Sequence, residues 1–553
     1  MRSTRLLISV LAGTLLVAAY LTLRGFDLLG SPGAAQVRDV PAGHQEIAFL
    51  VPATSGDAWE RLVAALDALH RNWPRDYPEA PRLHVRKDKA FVELTADIAE
   101  LALWLEGADG ARLWVRWYKL SSENSAEKWI EKLTQRDPPP LAVIGGDISD
   151  RALALAQALQ AARGKWRGPD PLLLLTTATA DRYKLAASPG LDPAEDSSPR
   201  LIHIYNGRSF RFSFTNKQMA RVVLDFVRSH PELWPEKGRD FPGAAGIAAV
   251  GDPWAALGLL ANAEQFRLQT LEWADDSYSV DLARRFSRVF QRLFPFGRAV
   301  EDLINYSAGD YFQPNPREAF AIGQLVVGSA PDERRLLALP TAAQRAQRLL
   351  RTFVRRDPLQ GRNLVVITGD SISFNSIYRD RNVAWNILDV PVPLVLFAHR
   401  NPVSTTAGFK PMADGNVEAS CSSTEEILLN RDILEALVQG AYRERRVLTD
   451  ADGLRDRLRQ ALWHKGHVRI PGFGGSPAAG QPNGPNGHLF DADGDRSART
   501  GEHIVWLNPS AGGAPLVEPT ITVWRMQPEG TGYTWIEARK PLEVRYNWTG
   551  EQP

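Results

Sequence analysis

Short apolar runs recur along this chain, and each breaks into small polar residues just before an amphipathic segment begins. EIAFLVP at 46–52 opens the series. Thr54, Ser55 and Gly56 follow, then a segment that puts Trp59, Leu62, Val63, Leu66 and Leu69 on one helical face. VIGG ends at Asp147–Asp150 and leads into an Ala/Leu-rich helix running to about Ala162, and LLLL ends at Thr176–Thr179. After FRFSF at 210–214, Asn216 is placed to cap a helix carrying Met219, Val222, Val223, Phe226 and Val227, an i, i+3, i+4, i+7, i+8 stripe. Beyond Tyr278 a second helix carries Leu282, Phe286, Val289, Phe290 and Leu293. LLALP at 336–340 precedes a helix with Ala342, Ala346, Leu349, Leu350 and Phe353, and LVVIT runs into Gly369-Asp370-Ser371. Strands alternating with helices predict parallel sheets covered on both faces. In such sheets the loops at the carboxyl ends of the strands collect ligands.

Length and composition bound the picture. A chain of 553 residues is too long for a single core and divides into two or three lobes. The net charge of +1 leaves no basic footprint for nucleic acid, and the basic residues lie along solvated helix faces such as RRFSRVFQR. The single cysteine, Cys421, excludes an intrachain disulfide. Residues 6–23 are apolar behind Arg2 and Arg5, which reads as a membrane anchor or a signal peptide with the bulk of the chain exported. A Gly/Pro/Ala-rich stretch follows as a linker. Two stretches, near 231–268 and 295–335, break the strand–helix rhythm and read as inserts, and 472–488 is a Gly/Pro/Asn loop.

The order of VIGGDIS at 143–149, LLLLTTATADRY at 172–183, LEWADDSYSVDLARRF at 271–286, LVVITGDSIS at 364–373 and GHLFDADGDR at 487–496 resembles the type I periplasmic solute-binding proteins, which include the branched-chain amino acid receptors of ABC importers. The resemblance spans about residues 45 to 525 and lies in the order of the motifs. It implies an α/β fold of two lobes, each a mostly parallel sheet flanked by helices, closing on a small polar solute without chemistry. On that pattern residues 1–24 are the signal or anchor, 25–44 the linker, 45–215 the first lobe and 216–400 the second lobe with its inserts. Residues 401–530 then complete both lobes, and 531–553 form a tail. Ser149, Ala178 and Thr179 would hold a ligand carboxylate, Tyr278 would cover the ligand, Asp370 would take its amino group, and Thr54 and Ser55 would face the cleft. The implied partners are a solute and a membrane transporter or sensor subunit, with no cofactor or metal, at the extracytoplasmic face of a membrane. Two positions depart from the family. Ser279 stands where a glycine usually follows the tyrosine, and Thr341, Ala342 and Ala343 replace an expected aromatic pair.

Other readings attach to the same residues. Gly369-Asp370-Ser371 is similar to the nucleophile block of GDS-type esterases, in which a serine needs a histidine base and an orienting carboxylate. No D-x-x-H follows Ser371; the nearest downstream histidines are His399 and His467. Asp491, Asp493, Asp495 and Glu502 have the spacing of an EF-hand calcium loop, but Arg496 occupies its glycine position and the flanks read as strands. A β-turn rich in Asp and Gly explains that segment equally. No G-K-[ST] follows TTATA, which excludes a P-loop. Trp59 and Trp273 are placed either in the core or on the cleft wall. Ser149 could equally cap the helix behind it.

Overall fold

The structure is a computed structural model that describes residues 37–546 apart from 93–96, 109, 183–198, 231–232, 234–266, 274–275, 295–297, 305–334, 344, 347, 351–363, 373–392, 420–422, 444–446, 465, 474–486, 499–501, 509–519, 530–531 and 543. The N-terminal apolar run, Cys421, most of both inserts and most of the Gly/Pro/Asn loop lie outside the described residues, while 298–304 of the second insert form a strand of the second sheet. Among the described residues no helix is long and apolar enough to cross a membrane.

Two sheets organise the chain. The first contains β1 (Gln45–Leu50), β2 (Leu83–Arg86), β3 (Ala99–Leu105), β4 (Leu113–Trp117), β5 (Ala142–Gly145), β6 (Leu172–Leu175) and β7 (Ser209–Arg211), in the order β2-β3-β4-β1-β5-β6-β7. β4, β1, β5, β6 and β7 run parallel, and β3 is antiparallel to both its neighbours. Helices α1 (Gly56–Asp76), α2 (Ala126–Thr134) and α3 (Ser149–Ala161) cover this sheet. Alternation along β1 sends Ile47 and Phe49 to the α1 side and Ala48 and Leu50 to the α2–α3 side. Both faces are buried, which is why AVIG and LLLL read as unbroken apolar runs. Gly145 is required for this packing: a Cβ there would lie 2.8 Å from the Leu50 carbonyl oxygen on the neighbouring strand. Trp59 and Trp273 both belong to cores, at 1% and 0% exposure.

The second sheet contains β8 (Arg267–Trp273), β9 (Arg298–Ile304), β10 (Arg335–Ala338), β11 (Leu364–Ile367), β12 (Leu394–Ala398), β13 (His503–Asn508), β14 (Thr520–Glu529) and β15 (Gly532–Leu542). Its order is β15-β14-β13-β12-β11-β10-β8-β9. The five strands from β12 to β9 are parallel, while β13, β14 and β15 extend the sheet antiparallel. Both sheets are therefore mixed, with parallel cores and antiparallel margins, rather than parallel throughout. β15 draws on the segment read as a tail.

Helices α4 (Asn216–Ser229) and α5 (Ser277–Leu293) pack on one face of the second sheet through Phe226, Phe286 and Phe290. Asn216 is the first helical residue of α4 rather than its cap. Thr215 takes that place in a capping box: its Oγ1 accepts the Gln218 N–H at 3.3 Å, and Gln218 Oε1 accepts the Thr215 N–H at 2.7 Å. After β12 the chain returns to the first lobe, where α6 (Glu426–Ala441) and α7 (Ala451–Arg459) join α1 in one core through Ile433, Leu437 and Leu454. It then leaves again after Phe490 to form β13. Among the described residues the chain thus passes between the lobes three times: between Arg211 and Asn216, between Ala398 and Glu426, and between Phe490 and His503.

Candidate functional site

Both parallel cores end in polar loops at their carboxyl ends, and these loops carry the residues singled out in the sequence. In the first lobe, Thr54 is exposed after β1, and the half-buried Ser55 lines a cavity of about 190 Å³. Asp57, Arg61, Asp147, Thr177 and Glu426 also line it. Arg61 is held between Asp57 and Glu426, and Arg151 pairs with Asp147 at 2.7 Å. Ser149 does not cap α3; its Oγ accepts the Ala180 N–H at 3.3 Å and ties the helix to the loop after β6. Ala178 and Thr179 are fully buried. Their carbonyls accept from the first crossing and the start of α4: Ala178 from Ser213 Oγ at 3.2 Å, Thr179 from the Asn216 N–H at 2.8 Å. The Thr179 hydroxyl is buried without a partner.

In the second lobe, Asp276 caps α5 by accepting the N–H groups of Tyr278 and Ser279. Tyr278 reaches over the next loop, where its hydroxyl accepts the Ser371 N–H at 3.3 Å. Burial, and after it the nearby Asp370 charge, push that hydroxyl well above the usual tyrosine range. Gly369 makes room for it, since a Cβ there would lie 2.5 Å from the Tyr278 oxygen. The structure thus brings Tyr278, Asp370 and Ser371 together in one lobe and Ser149, Ala178 and Thr179 in the other. The lobes meet where the Asp181 N–H donates to Asp281 Oδ2 at 2.9 Å and Arg285 bridges Asp181 and Asp281 at 3.3 Å each.

Residues at the crossings take roles that the sequence reading did not give them. His399, at the end of β12, accepts the Phe214 N–H on Nδ1 at 3.2 Å. That fixes the tautomer, so Nε2 donates to Asp370 Oδ2 at 2.8 Å. The ring also stacks on Phe214, with centroids 5.7 Å apart and planes 3° from parallel. Asp432 on α6 lies 2.6 Å from Arg400 and 3.3 Å from Arg496, which belong to the second and third crossings. Arg496 also donates to the Phe212 carbonyl at 2.8 Å and lies over the Phe214 ring. All three crossings are therefore joined in one knot. The rule that singled out Asp370, a polar residue where a buried strand ends, applies to His399 after LVLFA as well.

Three other chemistries are answered by geometry. Ser371 Oγ donates to the Thr341 carbonyl at 2.7 Å, and both His399 nitrogens are engaged elsewhere, so His399 does not serve Ser371 as a base. In the DADGD loop, Asp491 Oδ1 accepts the N–H groups of 493, 494 and 495 at 3.0 Å each, while Asp493 and Asp495 pair with Arg200. Arginines thus occupy the carboxylates that a calcium reading needs. Asp76, Glu435 and His467 converge as metal ligands could, but Arg431 Nη2 stands among them, 2.8 Å from Asp76 and Glu435 and 2.7 Å from His467. Burial acts to raise the Glu435 carboxyl, yet His467 and Arg431 prevail and hold it down to about 2. A depressed acid stabilises the fold above its unfolded value of 4.5 and loses that contribution as pH falls toward about 2. Acid titration of the folded protein is expected to show this loss in that window, and Glu435→Gln to remove it; an unchanged acid limb in the variant refutes the assignment.

The described residues form two α/β lobes, each with polar loops at the carboxyl ends of a parallel core. The chain matches solved structures of ABC transporter substrate-binding proteins across most of its length. A leucine-bound protein from Desulfitobacterium hafniense is 12% identical, with a TM-score of 0.45, over 89% of this chain and 100% of that one. The branched-chain amino acid binding protein LivJ of Streptococcus pneumoniae, bound to isoleucine, is 10% identical with a TM-score of 0.46, over 86% and 99%. A solute-binding protein of Rhodopseudomonas palustris bound to p-hydroxybenzoic acid is 10% identical with a TM-score of 0.46, over 92% and 99%. A scan against protein-family models gives no match, and a search of curated proteins gives none.

Proposed function

We propose that this chain is an extracytoplasmic solute-binding protein that closes two lobes around a small polar molecule and presents it to a membrane transporter or sensor. The observation that carries the reading is the construction of the hinge. The crossings are tied to one another through His399, Asp432 and Arg496, while the polar loop ends of each lobe remain on separate bodies. Such a joint permits rotation of one lobe against the other around a bound solute. The cleft residues are Ser149, Ala178, Thr179, Thr54 and Ser55 on one side and Tyr278 and Asp370 on the other. The apolar run at 6–23 supplies the signal or the tether.

Thermal unfolding against a library of amino acids, amides, amines, sugars and small carboxylates tests the reading. A solute at 100 times its Kd adds about 2.7 kcal/mol of stability. The same solute is expected to shrink the radius of gyration in solution scattering, and the triple variant Ser149→Ala, Tyr278→Phe, Asp370→Asn to lose both responses while staying folded. Binding retained by that variant refutes these residues as the site.

A second reading, a ligand-free scaffold or sensor module of the same fold, is favoured by one observation. Arg285 and the Asp181 N–H bridge the lobes directly, protein group to protein group. Silence across the whole library, with no change in compactness, selects it.

A further inference from the structure

The first-lobe cavity is walled by α1, α6 and the loops after β1, β5 and β6, and one side chain in its wall has no use within the chain. Asn430, on α6, is 7% exposed and lines the cavity. Among the described residues its amide has no hydrogen-bond partner. An amide offers two donors and an acceptor, and leaving them open in a buried place is costly. The Ser55 hydroxyl, at the start of α1, is in the same condition, for it makes no capping bond. Thr176 and Thr177 give their protons to the Gly145 and Asp147 carbonyls, at 3.5 and 2.8 Å, and keep lone pairs for a further donor.

The charged groups of the cavity, by contrast, are matched. Arg61 lies between Asp57 and Glu426. Arg151 takes both oxygens of Asp147, through Nε and Nη2 at 2.7 Å each. A solute carboxylate would meet three carboxylates against the one guanidinium in the wall. An ammonium would reach only carboxylates that already face an arginine. What stays open is neutral, an amide and hydroxyls beside the apolar Phe49, Val51 and Leu429. Neighbouring hydroxyls on a carbon frame match that set, because each both donates and accepts while the frame covers the apolar wall. At about 190 Å³ the cavity has the room of roughly six waters, the size of one sugar ring.

We propose that the solute is a neutral polyhydroxyl compound of monosaccharide size, held in the first-lobe cavity by the Asn430 amide and the Ser55 hydroxyl. The inference rests on the solute-binding reading and narrows it to one ligand class. Asn430 Nδ2 donates to one solute hydroxyl, and Oδ1 accepts from its neighbour. The lining residues all belong to the first lobe, so this cavity takes the solute before the second lobe closes over it.

The experiment is titration calorimetry of the full chain with D-ribose, D-glucose and myo-inositol, set against leucine, putrescine and benzoate. At least one polyol is expected to bind, with an affinity that changes less than about twofold between roughly pH 6 and roughly pH 8.5, because amides and hydroxyls do not titrate there. Asn430→Leu is expected to weaken that binding by about tenfold or more. The empty variant is expected to melt no lower than the parent, since an amide without a partner is exchanged for an apolar group of similar shape. Asn430→Asp, which keeps the shape and loses the N–H donors, is expected to weaken binding likewise. Polyol binding that both variants leave unchanged overturns the site. Binding of leucine, putrescine or benzoate and of no polyol overturns the neutral-solute assignment and leaves the solute-binding reading standing. Absence of binding by every probe, with no change in compactness, overturns both and leaves the cavity to water.

Discussion

Asp432→Ala is expected to lower the unfolding free energy by about 3–5 kcal/mol, the cost of leaving buried charges without their partner. Asp432 is 1% exposed and is shared by Arg400 and Arg496. Both guanidiniums also lie over the Trp463 ring, at 4.5 and 4.8 Å from its centroid. Two positive charges thus flank one indole, and the aspartate offsets their repulsion. Burial, and then the opposing Arg400, bring the Arg496 guanidinium down to about 10, even with Asp432 and Glu502 acting to raise it. Without Asp432 that repulsion is no longer balanced, and the three crossings lose their shared anchor. Urea unfolding is the measurement. Because the knot joins the lobes, the expected transition also separates into two steps, one per lobe. A single transition shifted by less than about 1 kcal/mol means that the pair is solvated and the hinge is held elsewhere.

Gly494→Ala is expected to cost about 2–5 kcal/mol, a left-handed backbone penalty combined with overpacking. Gly494 has φ +99°, and a Cβ there would stand 2.3 Å from the Ser209 carbonyl oxygen. Its own carbonyl accepts the Arg211 N–H at 2.9 Å, which lays the third crossing along the end of β7. The clash is with backbone and no rotamer relieves it. Gly164 is the control, with φ +73° and nothing within 4 Å of a built Cβ; Gly164→Ala is expected to cost only about 1–2 kcal/mol. Chemical denaturation of both variants separates the two contributions, and equal losses at the two positions rule out the close approach to Ser209 as the cause.

The parallel cores were legible because strands buried on both faces must be apolar throughout, and AVIG, LLLL, LVVI and LVLFA stand out for that reason. The stripes on α4 and α5 were legible because 3.6-residue periodicity is local. The α4 cap was displaced by one residue, since Thr215 and Asn216 are both good caps and only the reciprocal bond with Gln218 decides between them. The antiparallel margins were less visible. β14 and β15 are long strands at one margin of the sheet, where the half-buried Thr522, Trp524 and Trp535 alternate with the exposed Arg525 and Glu537 rather than forming an unbroken apolar run.

The candidate site divides in the same way. Tyr278, Asp370 and Ser149 could be picked out because each follows a buried strand, a local signal. What each side chain does there could not. Asp370 turns one oxygen to a histidine 29 residues away, and Ser149 takes an N–H 31 residues away. Glu425 follows no unbroken apolar run of the kind that marks Asp370, and nothing in Ser-Ser-Thr-Glu-Glu separates Glu425, unmatched and buried, from Glu426, paired with Arg61.

By itself, then, the sequence determined the alternation of strands and helices, the division into lobes too large for one core, and the loops where polar residues end buried strands. Each of these follows from patterns of neighbours along the chain. Only the tertiary structure decided which carboxylates are satisfied and which are left open, how His399, Asp432 and Arg496 join the crossings, and which glycines are indispensable. Charge pairing, desolvation and close approach depend on distances between residues far apart in sequence, and those distances exist only once the two sheets have formed and the chain has crossed between them three times.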